Sequence, residues 1–123
     1  MSTDYSKMSD FEINKLVAIA TGHKQLGSLG WRGLKDGEFN EVMVRGPLKI
    51  DGFDPCNNPA DAWPIIVANN IDIIQDNGQG CALATKSAIQ MFHGDDVHIS
   101  QDENPLRAAM IVFLMMQDSK NAS

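Results

Sequence analysis

The chain has 123 residues, 43% of them apolar and 21% charged, enough for one domain with its own hydrophobic core and ordinary for a globular protein. Its formal charge of −6 is uneven: residues 1–49 carry seven Lys/Arg against six Asp/Glu, and residues 50–123 carry three against ten. Such an acidic balance repels a phosphate backbone, and ten carboxylates scattered through an apolar half do not form the dense face of a DNA mimic.

No basic stretch followed by an apolar one precedes the first helix, so a secretory leader is not expected, and Cys56 and Cys81 are expected as buried thiols of a reducing cytosol. Residues 1–8 read as a loose lead-in, with Tyr5 or Met8 placed to cover the helix that follows. Ser9-Asp10-Phe11-Glu12 has the form of a capping box, and Ile13, Leu16, Val17 and Ala20 then recur at helical spacing. The spacing predicts a helix over 9–21, ended by Gly22 in a left-handed cap.

Residues 22–38 hold five glycines among polar residues, with Trp31 and Leu34 as anchors, and read as a loop with at most one short turn. Its segment Gly27-Ser28-Leu29-Gly30-Trp31-Arg32-Gly33 follows a helix rather than a strand and lacks a Gly-Lys-Ser/Thr ending, so it is not expected to cradle phosphate. Residues 39–44 alternate enough to predict an edge strand; Pro47 ends it, and Leu48-Lys49-Ile50 is readable as further extended chain. Residues 51–57 carry turn chemistry in Asp51-Gly52 and Asp54-Pro55.

Asn58-Pro59 is a helix start, an N-cap side chain followed by a proline whose missing N–H costs nothing at the first helical position. A helix from Pro59 would put Pro64 in its interior, so a short turn at 58–61 leading into a helix over 61–69 is expected, with Trp63, Ile66 and Val67 inward. Ile71, Ile73 and Ile74 predict a strand, Asp76-Asn77-Gly78-Gln79 a hairpin turn, and 81–84 the return strand. Residues 85–93 fit a helical turn or a strand equally, and Val97-His98-Ile99 a last short strand. Asn104-Pro105 opens the final helix, 105–117, apolar on every side as far as Met116 apart from Arg107. Asp102 and Glu103 stand ahead of it, where negative charge favours its dipole, and 119–123 are expected loose. Residues 106–116 span only about 17 Å as a helix, short of a bilayer core, so no membrane segment is expected.

Candidate chemistry is sparse. His93, Asp95, Asp96 and His98 offer two imidazoles and two carboxylates, but their spacing matches no ligand motif and Gly94-Asp95-Asp96 reads as a turn, so no metal or other cofactor is expected. No local signature joins Cys56 or Cys81 to His23, His93 or His98 as a nucleophile, and no catalytic residue is expected. The patch from Pro55 to Pro64 stands out. It sets Asn57, Asn58, Asp61 and Trp63 among residues with special backbone roles, and Arg107 is placed to meet Asp61 or another carboxylate, or to reach solvent. These five are the candidate binding residues, against a reading in which the polar ones cap helices and Trp63 is core.

The chain resembles the NinX family, small proteins from the accessory nin region of lambdoid bacteriophages. The resemblance rests on residues 4–18, on Phe53-Asp54-Pro55-Cys56-Asn57-Asn58-Pro59-Ala60-Asp61-Ala62-Trp63-Pro64-Ile65-Ile66, and on 104–116; residues 22–50 and 75–102 match weakly. It is also similar, more loosely, to small phage domains built as α-β-α sandwiches. The resemblance implies a phage gene product acting in the host bacterial cytoplasm and carries over no catalytic residue.

The expectation is therefore a single α+β domain, a small mainly antiparallel sheet against three main helices (9–21, 61–69 and 105–117). The expected function is a non-enzymatic accessory protein that binds a phage or host protein, or forms a homo-oligomer through a strip near Met110, Leu114 or Met115. A nucleic-acid-associated factor in recombination or regulation is the alternative, and a small enzyme, with His93, Asp95 or Asp96 meeting Trp63 in one cleft, is the third.

Overall fold

The computed structural model describes residues 4–23, 32–35, 38–45, 50–74, 82–86 and 99–121. Its class is α+β, and its backbone divides into two compact units, Met1–Asp54 and Pro55–Ser123.

In the first unit, residues 5–7 of the expected loose lead-in form a single 3₁₀ turn that buries Tyr5. Asp4 caps that turn, and the hydrogen bond from the Ser6 hydroxyl holds its carboxyl below the usual range. Helix α1 (Asp10–Ala20) starts as predicted: the Ser9 hydroxyl accepts from the Glu12 amide at 3.2 Å. It also ends as predicted. Gly22 has φ +92°, its amide donates to the Ile19 carbonyl, and the His23 amide donates to Ala18.

The buried face of α1 is Ile13, Asn14, Val17 and Ala18, whereas Ala20 of the expected stripe is exposed. The rotation is possible because Asn14 brings its own partner: its side-chain amide donates to Asp54 Oδ1 at 2.7 Å, so a polar group can occupy the core side.

Helix α1 packs on an antiparallel sheet in the order β1 (Arg32–Lys35), β2 (Glu38–Arg45), β3 (Ile50–Phe53). This corrects three expectations. Residues 32–35 are strand rather than loop, β2 is the central strand rather than an edge, and 51–53 continue a strand instead of turning. Val42 and Val44 point inward and Met43 is only half-buried, the alternation a half-buried strand requires. Val42 lies opposite Phe53, also buried, and the Phe53 ring meets His23 at 5.0 Å between centroids. Burial of these apolar pairs outweighs the turn preference of Asp51-Gly52, and Gly52 is accommodated opposite Met43.

In the second unit, helix α2 (Pro59–Ala68) begins at the first Asn-Pro, with the Asn58 side chain accepting from the Ala60 amide at 3.0 Å. The expected start near Asp61 is corrected, and Pro64 lies inside the helix. Its missing N–H removes one bond to the Ala60 carbonyl, and both residues are on the exposed side of the helix. Asn70, at φ 54°, closes α2 in the left-handed conformation that asparagine tolerates.

An antiparallel sheet follows, β4 (Ile71–Ile74), β5 (Ala82–Lys86) and β6 (Ile99–Asp102) in sequence order. The predicted hairpin turn at 76–79 lies outside the described residues, as do Cys81, residues 87–93 and Val97-His98. The last strand is therefore 99–102 as described, running up to the final helix. Helix α3 (Pro105–Asn121) is longer than predicted and keeps Lys120 and Asn121 helical. It packs on all three strands of this sheet and against α2. Ala108 to Leu114 are buried without a break, so the apolar circumference is covered inside the chain. The strip expected to be open is closed at Met110 and Leu114, and only Met115 is half-buried.

Candidate functional site

The candidate residues lie in the second unit and separate into a polar clasp and an apolar face. The clasp forms where the chain between Cys56 and Asn58 meets the start of α3. Asn104 accepts from the Leu106 amide at 2.9 Å and the Arg107 amide at 3.3 Å, as an N-cap should. Its side-chain NH₂, which a serine or aspartate cap would lack, donates to the Cys56 carbonyl at 2.6 Å and to Asn57 Oδ1 at 3.1 Å. Cys56 is wholly buried as a thiol, so Asn104 supplies a donor to a carbonyl shielded from water.

Asp102 completes the clasp. One of its oxygens accepts from the Asn104 amide and the other from Arg107 Nε, both at 2.9 Å. The two side chains are only 12% (Arg107) and 22% (Asp102) exposed. Of the partners considered for Arg107, the structure thus supplies a carboxylate five residues back. Arg107 and Asn57 enter one network, and Asn58 is a helix cap. Asp61, in the first turn of α2, is half-buried.

Trp63 behaves differently from the expectation. It is 62% exposed, and Val67, four residues on, is 55% exposed, while Ala62, Ile65 and Ile66 form the buried side of α2. Ala60 and Pro64 are exposed beside them. One side of α2 therefore builds the core, and the other presents Ala60, Trp63, Pro64 and Val67 to solvent at helical spacing.

Asn104 and Asp102 were absent from the candidate residues, although both had visible roles, one as a cap and one as charge ahead of a helix. Their reach to Cys56, Asn57 and Arg107 depends on the fold. Pro64 and Val67 carried no surface signal, because an apolar residue at helical spacing reads as core.

Among the described residues no three His, Cys, Asp or Glu side chains gather as a metal site, and no helix is long and apolar enough to cross a membrane. His93, Asp95, Asp96 and His98 lie outside the described residues, and with them the expected test for an enzyme's cleft at Trp63. The arrangement that is described holds backbone in place and displays an indole.

A family model described as bacteriophage P22 NinX matches residues 4–117. The chain belongs to that family. No curated protein matches it at a significant level. For this NinX-family chain the match takes in both helix starts, the clasp and the whole of α2, and supports a phage accessory protein.

Proposed function

We propose that this NinX-family chain is a non-enzymatic accessory protein that acts in the host bacterial cytoplasm by binding another protein, phage or host, through the outer face of α2. The observation carrying this reading is Trp63, exposed with Val67 on a helix whose opposite side is core. An indole on a regular helix removes a large apolar area from water when it binds, with few rotatable bonds to immobilise, and tryptophan is prominent among residues on which interfaces depend. Residues 55–123, which carry the face, hold eight Asp/Glu against three Lys/Arg, a formal charge of −5, and this counts against a nucleic-acid backbone.

The test is affinity capture from phage-infected host lysate with the wild-type chain and with Trp63→Ser. A reproducible protein partner recovered by the wild type and reduced at least tenfold by Trp63→Ser, with both chains equally folded by circular dichroism, is the expected result. No reproducible partner, or equal recovery by the two chains, overturns the proposal. Gel shifts with single- and double-stranded DNA across a salt series provide the contrast, since salt-dependent retention there would favour the nucleic-acid alternative.

A further inference from the structure

We infer that the clasp at the start of α3 fixes how far α2 is turned about its own axis, and so keeps Trp63 in water instead of in the core. The inference rests on the proposed binding role for its use, since that role requires Trp63 outside, and it names what holds the residue there.

Two apolar series compete for the inner side of α2. Ala62, Ile65 and Ile66 are buried, whereas the series expected from the sequence is Trp63, Ile66 and Val67. Each residue of the second series follows one of the first by a single position. An α-helix turns about 100° per residue, so the two arrangements differ by one residue's turn of the same helix. Hydrophobic burial is non-directional and grows with area, and an aromatic side chain hides about 150–250 Å², far more than alanine. Burial alone therefore favours Trp63 inside. Yet Trp63 is 62% exposed and Ala62 is wholly buried. A directional contact has to decide the turn.

The clasp supplies it. The Asn104 side-chain NH₂ donates to the Cys56 carbonyl and to Asn57 Oδ1. Asn104 is itself held, because its amide donates to Asp102 at the end of β6 and its side-chain oxygen accepts from the first turn of α3. Pro55 and Cys56 are fully buried. Only Asn58 separates the clasped residues from the first residue of α2, and it is extended, at φ −111° and ψ 109°, as a residue before proline prefers. Pro59 then has its own φ fixed by its ring, so little rotation is left between the clasp and the first turn. Turning α2 by one residue would draw Cys56 and Asn57 away from Asn104, against two hydrogen bonds.

The test follows the emission of Trp63, and its quenching by acrylamide, in a Trp31→Phe chain where it is the single tryptophan. Asn104→Ser keeps an oxygen to cap α3 and removes the NH₂. Expected is a blue shift of Trp63 emission and at least a twofold fall in quenching, with helical circular dichroism retained. Asn57→Ala, which leaves the bond to Cys56, should move both in the same direction by less, and it carries the test if Asn104→Ser does not fold. Met110→Ala loosens the core of α3 without touching the clasp, and it should leave the emission of the folded chain unchanged.

Trp63 as exposed in the folded clasp variants as in their parent, an equal blue shift with Met110→Ala, or failure of both clasp variants to fold overturns the inference. If the clasp variants hide Trp63 and the parent captures no partner from lysate, the clasp has the stated role and the proposed function falls. If capture depends on Trp63 but the clasp variants leave it exposed, the binding role survives and this inference falls.

Discussion

Helices α2 and α3 begin with the same two residues and end in opposite situations. Each opens with Asn-Pro, and in each the asparagine side chain accepts the amide two residues on, at 3.0 Å for Asn58 and 2.9 Å for Asn104. Both helices are apolar nearly all round. Yet α3 is buried continuously from Ala108 to Leu114, while α2 leaves Trp63 and Val67 in water. The local start is a property of two residues. Coverage depends on neighbours, and α3 has a three-stranded sheet and α2 against it. An apolar circumference therefore states what exposure costs, and the fold decides which helix bears that cost.

The strongest way to break this comparison is to empty the middle of α3. Met110 is fully buried, and Met110→Ala should cost about 2–5 kcal/mol through lost transfer energy and the cavity left behind. Urea unfolding measures it, and a cost under about 1 kcal/mol would mean that α3 is not enclosed.

The two caps give the next effects. Asn104→Ala removes the cap and also the donor to the buried Cys56 carbonyl, so a loss of about 2–3 kcal/mol is expected from the two contributions together. Asn58→Ala removes only the cap among the bonds described, and about 1 kcal/mol is expected. Denaturation midpoints at constant slope compare them directly. Equal losses would show that the reach of Asn104 to Cys56 and Asn57 adds nothing to capping.

This pair also marks what was legible in the sequence. Ser9, Gly22 and Asn104 were readable because a cap joins residues two or three apart, or needs one special backbone angle; Asn58 was visible as a cap but set aside for a start near Asp61 because Pro64 then falls inside the helix. The strands around Gly33 and Gly52 were not readable, since both segments carry turn chemistry and become strand only through pairing with β2. On α2, residues 62, 65 and 66 and residues 60, 63, 64 and 67 are both apolar series at helical spacing. Periodicity cannot say which faces inward, so Trp63 and Val67 were assigned to the core. On α1 the predicted stripe left out Asn14, whose partner, Asp54, is forty residues distant. The candidate residues divide along the same line, with the caps readable and the display of Trp63 not.

The smallest expected effect bears most directly on the face. Val67 is 55% exposed, so Val67→Ala removes methyl groups that are largely in water already and leaves no enclosed cavity. Its cost should stay within about 0.5 kcal/mol, as for surface substitutions generally. Loss of the same area at an interface is felt more, because there the methyl groups are buried in the complex and not in the free chain. Val67→Ala should therefore leave the urea midpoint almost unchanged while lowering recovery of the partner captured through Trp63. A cost above about 1.5 kcal/mol would place Val67 against protein in the free chain. The outer face of α2 would then be core, and the difference between the two helices would disappear together with the surface on which the binding role depends.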